Sequence, residues 1–213
     1  MKKNPMTEDS KYSFPAPQVA VMPRGITSLA HVSTLESTQD AAKEAAVAGA
    51  SHGLLVVADE QTRGRGQFER QWASAPGGLY MSVVLRPGAK PHSLSALSLA
   101  TARALSGTLS SLYSIKSRIK EPNDVLALEP KSGKYLKIAG ILIESSSSMT
   151  KTDWAVAGIG VNLNNRLPAG LEAVYVARIT GAPVSRDEFL EAFFRIFWDR
   201  YAEWESSLHP QGK

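Results

Sequence analysis

Four stretches of the chain combine residue types that can do chemistry. The first is Gly64-Arg65-Gly66-Gln67-Phe68-Glu69-Arg70-Gln71-Trp72. Its glycines let the backbone approach or close over a ligand, and Arg65 and Arg70 carry fixed positive charge suited to carboxylate and phosphate. It has neither the Gly-Lys-Ser/Thr of a Walker A loop nor the third glycine of a dinucleotide turn. Taken alone, an anion-binding loop and a solvated surface loop are therefore equally open readings. The second stretch, Lys120-Glu121-Pro122-Asn123-Asp124, places a cation, an amide and a carboxylate on residues that favour a tight turn, and alone it reads as a hairpin turn. In the third, Lys137-Ile138-Ala139-Gly140-Ile141-Leu142-Ile143-Glu144, a lysine opens a buried strand, aimed either into a cleft or outward to solvent. The fourth, Gly158-Ile159-Gly160-Val161-Asn162-Leu163-Asn164, follows a strand with small residues and amides, and its plainest reading is a strand edge with a bulge.

The elements that must position these groups follow from periodicity and punctuation. An apolar stretch to Val32 leads to an alanine-rich helix from about Gln39 to Ala48, entered at Ser37 with Asp40 three residues on, like a capping box. Leu54 to Ala58 and Leu79 to Leu85 read as strands on either side of the glycine-arginine loop. Leu94 to about Leu112 has helical spacing, and Arg118–Lys120, Val125–Leu128, Lys137–Glu144 and Trp154–Val161 form a run of short strands. A long helix opens at Ser185 with Glu188 completing a second capping box. Phe189, Phe193, Phe197, Tyr201 and Trp204 fall near one of its faces, as core packing or, less simply, a dimer contact. The expectation is an α+β fold, a mixed β-sheet faced by about three helices.

Composition narrows the function. With 213 residues, 43% hydrophobic and 21% charged, the chain suffices for one sizeable core. The division expected is an arm over residues 1–25, a single folded domain over 26–206 and a tail over 207–213. Without cysteine there is no disulfide framework, thiolate metal site or cysteine nucleophile, and the four histidines lack metal spacing, so no protein-held metal is expected. The polar Thr7-Glu8-Asp9-Ser10-Lys11 interrupts any secretory signal, and no apolar run reaches about twenty residues, so a cytoplasmic chain without a membrane partner is expected. The net charge of +4 is dispersed and comes without an aromatic-basic motif, which argues against nucleic acid.

In this order and spacing, Ser37-Thr38-Gln39, Gln61 to Trp72, Lys120 to Asp124, Lys137 to Leu142 and Gly158 to Asn162 resemble the catalytic domain of the biotin-protein ligases, over about residues 28 to 205. That resemblance implies a class II aminoacyl-tRNA synthetase-like catalytic fold. It implies a reaction in which biotin is activated by ATP as biotinyl-5'-AMP and passed to a lysine of the biotin carboxyl carrier protein of acetyl-CoA carboxylase. It places Ser37, Thr38, Gln39, Gln61, Arg65, Gly66, Gln67 and Lys137 around biotin, with Lys137 and Arg65 catalytic. Arg70, Trp72, Lys120, Asn123, Asp124 and Asn162 then border the nucleotide, and magnesium is held through its phosphates.

Several positions depart from the family pattern. Gln67 stands where many members have a second loop arginine, Phe68-Glu69 replaces a common Arg-Gly, and Glu121 replaces a tryptophan. The loop is thereby less positive and less flexible, so biotin recognition is better supported than tight retention of the adenylate. The chain stops after the long helix, where relatives continue into a small β domain, and it has no N-terminal DNA-binding domain, so a monofunctional enzyme, monomeric or homodimeric, is expected rather than a repressor. The rival readings are a lipoate-protein ligase or octanoyltransferase of the same superfamily, and a non-catalytic biotin- or acceptor-binding module.

Overall fold

The computed structural model describes residues 22–208, so most of the expected arm and tail lies outside the described residues. Seven strands form one sheet: β1 (Ser28–Leu35), β2 (Leu54–Gln61), β3 (Leu79–Leu85), β4 (Ser117–Lys120), β5 (Asp124–Glu129), β6 (Lys134–Ser147) and β7 (Thr152–Val161). Their order is β1-β2-β3-β7-β6-β5-β4, with β1 and β2 parallel and every other neighbouring pair antiparallel. The parallel pair is joined through α1 (Thr38–Val47), since parallel neighbours need a crossover. The remaining helices are α2 (Leu94–Tyr113), the short α3 (Val176–Thr180) and α4 (Arg186–Ser207). Among the described residues no helix is long and apolar enough to cross a membrane.

The two faces of the sheet separate cleanly by residue parity. On β7, Ala155, Ala157, Ile159 and Val161 join the main core with α2 and α4. Val156, on the opposite face, joins a smaller core with Ala41, Ala42, Ala45 and Ala46 of α1. Alanines along that helix face let α1 lie close to the sheet. On α4 the aromatics Phe189, Phe193, Phe197, Tyr201 and Trp204 are all buried, each contributing about 1.5–3 kcal/mol relative to exposure. The stripe is thus core within one chain, and its side chains are not free to pair with a second copy.

Both expected helix starts are present: Ser37 Oγ accepts from Asp40 N at 3.4 Å, and Ser185 Oγ accepts from Glu188 N at 3.2 Å. The expected bulge at residues 158–164 is not where the sheet is irregular. β7 is the central strand and pairs in unbroken register with β3 and with β6 through residues 155–161. One break lies on β6, where Val125 faces Ala139 but Leu126 faces Lys137, leaving Ile138 without a partner on β5, and a second lies between Ser146 and Ser147, at the far end of the β6–β7 pair.

Candidate functional site

That extra residue decides where Lys137 points. Ile138 and Ala139 both enter the α2/α4 core, so the alternation of β6 is reset and Lys137 comes to the same face as Gly140 instead of the opposite one. A loop after β7 straps this position. Lys137 N donates to Glu172 O at 3.4 Å, and Val174 N donates to Lys137 O at 2.9 Å. The ammonium pairs with Asp124 Oδ1 at 2.6 Å and lies 5.2 Å from the Trp72 ring centroid, within cation–π range.

The floor beneath it is a row of residues opposed across four strands: Gly160 on β7, Gly140 on β6, Asp124 on β5 and Lys120 on β4. The two glycines are required by packing. A Cβ on Gly160 would lie 2.5 Å from Trp72 Cε2, and one on Gly140 would lie 2.7 Å from Trp72 Cζ3. Trp72 therefore rests flat on the sheet where side chains would otherwise stand, and its indole N–H is buried there without a protein acceptor. Two residues along β7, a Cβ on Gly158 would collide with the carboxamide of Gln39.

Beyond Gly158 lies a polar network at the start of α1. Gln61 Oε1 accepts from Thr38 N at 2.8 Å and from Thr38 Oγ1 at 3.1 Å, so the amide satisfies a helix N–H that has no intrahelical partner. Gln61 Nε2 donates to Ser74 Oγ at 2.8 Å. Thr38 Oγ1 and Ser82 Oγ share a hydrogen bond of 2.9 Å, and Ser82 Oγ donates to Gln39 Oε1 at 3.2 Å. Ser37, Thr38, Gln39 and Ser82 are all buried.

Over this face the glycine-arginine segment forms a small hairpin. Gly66 N donates to Arg70 O at 2.8 Å and Trp72 N to Gly64 O at 2.8 Å, with Arg65 bridged to Gln71. Its turn has Arg70 N donating to Gln67 O, with Phe68 at φ 54° and Glu69 at φ 58°. Two positive φ angles define a type I′ turn, which glycine or asparagine fills without strain. Here a phenylalanine and a glutamate occupy it at a cost of about 1–2 kcal/mol each, and Phe68 is almost fully exposed at the tip.

Hairpin, glycine floor and polar network enclose one cavity of about 770 Å³, within the usual size of small-molecule sites. All fourteen residues expected at a site line it: Ser37, Thr38, Gln39, Gln61, Arg65, Gly66, Gln67, Arg70, Trp72, Lys120, Asn123, Asp124, Lys137 and Asn162. They do not all offer free groups. Asn123 Nδ2 donates to Ile141 O at 3.1 Å, and Asn162 Nδ2 donates to Val174 O while its Oδ1 accepts from Asn165. Both amides fasten the walls. The Arg65 guanidinium is held by Asp40 at 2.6 Å and by both oxygens of Glu144 at 3.0 and 3.1 Å. The Asp40 carboxylate thus serves Arg65 and does not return to its helix cap.

Sequence reasoning missed Ser74, Ser82, Glu144 and the strap at 167–173. Ser82 had a signal, the one small polar side chain inside the run Leu79-Tyr80-Met81-Ser82-Val83-Val84-Leu85. A polar side chain in a fully buried strand needs a partner, and here that partner is the α1 network.

Comparison with known proteins agrees with this architecture. Residues 32–162, more than half of the chain, match the model of the biotin/lipoate A/B protein ligase family. The chain is 36% identical over 172 residues to a biotin–[acetyl-CoA-carboxylase] ligase of Paracoccus denitrificans, covering 77% of this chain and 68% of that protein. It is 35% identical over 176 residues to the bifunctional ligase/repressor BirA of Bacillus subtilis, covering 80% of this chain and 52% of that protein. It thus spans about half the length of that relative. Among solved structures, a biotin protein ligase from Aquifex aeolicus in complex with biotin and ATP superposes with a TM-score of 0.72 at 31% identity, over 85% of this chain and 73% of that one. The chain belongs to the biotin/lipoate A/B protein ligase family and has the seven-stranded catalytic-domain fold of the biotin protein ligases.

Proposed function

We propose that the chain activates biotin with ATP to give biotinyl-5'-AMP and pyrophosphate, then passes the biotinyl group to a lysine amine of a biotin carboxyl carrier protein. The observation that carries this reading is the order of groups along the cavity floor. The buried hydroxyl–amide network lies at Gly158, Trp72 lies over Gly160 and Gly140, and Lys137, Asp124 and Lys120 follow toward the β4 edge.

A ureido ring needs donors and acceptors together, and hydroxyl and carboxamide side chains provide both. A lipoyl dithiolane has no polar hydrogens to match Gln61, Thr38 and Ser82, which favours biotin over lipoate. From the polar end, the valeryl chain would run past Trp72 and bring its carboxylate to Lys137. Joining a carboxylate to the α-phosphate brings two anions together, and an ammonium fixed between them stabilises the charge developing at phosphorus. One such preplaced group is worth about 3 kcal/mol of barrier. Asp124 and the Trp72 face hold the Lys137 ammonium in place without covalent participation, and Lys120 and Arg70 sit toward the phosphates. Among the described residues no group of three or more His, Asp or Glu side chains gathers to hold a metal. Magnesium carried by the nucleotide phosphates would supply further neutralisation. The second step needs no protein nucleophile, because an amine attacks the mixed anhydride and AMP leaves. The hairpin over the cavity limits loss of the anhydride to water.

The test is to incubate the chain with biotin and Mg-ATP and measure pyrophosphate and biotinyl-AMP. Stoichiometric formation of both supports the reading. Tight biotin binding with no pyrophosphate would replace it with that of a non-catalytic binding module.

A further inference from the structure

Arg65 lines the cavity, yet its charge is spent elsewhere. One face of its guanidinium forms a two-bond fork with Glu144 on β6, and Nη1 also reaches Asp40 on α1. Glu144 is shared, because Lys43 of α1 pairs with it at 2.8 Å. Two cations and two carboxylates thus join three separate elements, the hairpin base, the first two turns of α1 and the outer half of β6. Glu144 is four residues along β6 from Gly140, on the order of 13 Å at strand rise. The row of Gly140, where Lys137 stands, is that far from the place where Arg65 is held.

We propose that Arg65, Asp40 and Glu144 form a clasp that pins the base of the 64–72 hairpin over the cavity, so that Arg65 is a positioning residue for the lid and Glu144 is its principal anchor. This deepens the ligase reading and rests on it for its kinetic consequence. A fork of two parallel charge-assisted bonds fixes direction as well as distance, which a single lysine contact would not. The partner charges fix the base of a hairpin whose tip carries two left-handed residues. Burial alone would raise the Glu144 carboxyl, but hydrogen bonds from Lys43 and Gln39 and the charges of Lys43 and Arg65 outweigh it and hold it below the ordinary range. Glu144 therefore stays ionised throughout neutral pH.

Two readouts on the same variants test this. Hydrogen exchange of the Gly66 and Trp72 amides in the full chain, without ligand, is expected to quicken about tenfold in Glu144→Gln and in Arg65→Ala. The double variant should be no faster than either, and Arg65→Lys should lie between. Unchanged exchange in Glu144→Gln would overturn the clasp whether or not the chain is a ligase. The dissociation rate of biotinyl-AMP is expected to rise about tenfold in both single variants, again without addition in the double. Effects on adenylate formation that multiply, with Arg65→Ala far the more severe, would overturn the assignment by placing Arg65 on the reacting groups. Absence of adenylate in the unaltered chain would sink the ligase reading and leave the exchange result to decide the clasp.

Discussion

Replacing Gly160 by alanine probes the floor on which the proposed reaction rests. Gly160 is the penultimate residue of the central strand, paired in register with β3 and β6 on its two sides, so alanine brings no conformational penalty of its own. What it brings is a methyl 2.5 Å from Trp72 Cε2 and 2.6 Å from Trp72 Nε1, about 1 Å inside ordinary carbon–carbon contact. β7 is locked between β3 and β6, so the indole must be the part that moves, lifting by about 1 Å. Overpacking of this kind costs about 1–3 kcal/mol. The larger consequence is chemical, since the Lys137 ammonium lies 5.2 Å from the Trp72 ring centroid. A misplacement of about 1 Å at a reacting group can reduce rate on the order of 100-fold. The assay pairs thermal unfolding with the rate of biotin-dependent pyrophosphate release. The expected outcome is a fold retained with modestly lowered Tm, and adenylation reduced on the order of 100-fold. Near-normal turnover would refute the argument that the glycine row seats Trp72 and, through it, Lys137.

Three other outcomes are expected. Lys137→Ala should keep its fold, because the ammonium is partly exposed and serves no core contact, while adenylate formation falls by about two orders of magnitude, the equivalent of about 3 kcal/mol; circular dichroism and pyrophosphate release check the two halves. Gly107→Ala on α2 should stabilise the chain by about 0.5–1 kcal/mol, since its Cβ would meet Ile196 at 3.6 Å, an ordinary contact; chemical denaturation measures it. His52 packs against Trp198 and Tyr201, and its Nδ1 accepts from Arg86 N at 3.1 Å. Burial lowers its pKa below 6.5 against the opposing pull of Glu205. A histidine with a lowered folded value contributes stability that is present above its unfolded pKa and is lost as pH falls below it. The denaturation midpoint should therefore decline between about pH 7 and 5, and His52→Asn, which keeps an acceptor and removes the titration, should flatten that decline.

Much of this was legible in the chain. Helix starts at Ser37 and Ser185 follow from local hydrogen bonding that a few consecutive residues determine, and the strands followed from apolar runs. The grouping of the five motif segments into one cavity was also legible, through their resemblance to a family in which they act together. The direction of Lys137 was not, because it depends on one unpaired residue, Ile138, whose status is set by the register of β5 against β6. Continuous apolar sequence around it hid the break that alternation would otherwise reveal. The hydrogen-bonded partners of Arg65 are 25 and 79 residues away, and no pattern along the chain selects Glu144 from the other acids. The ion cluster of Asp59, His31 and Arg186 joins β1, β2 and the start of α4 across up to 155 residues and was equally out of reach. In the glycine-rich strand ends, the composition was visible but its cause was not: Gly140 and Gly160 are small because Trp72, from another segment, occupies their space.

The most direct test of the ligase assignment is transfer itself. The chain, biotin and Mg-ATP are mixed with a biotin carboxyl carrier domain, and the product is analysed by intact mass, with lipoate replacing biotin in a parallel reaction. The account predicts one biotinyl group on one carrier lysine, with one pyrophosphate and one AMP released for each, and no lipoyl product. Lipoylation without biotinylation, or an unmodified carrier beside fully formed pyrophosphate, would contradict it.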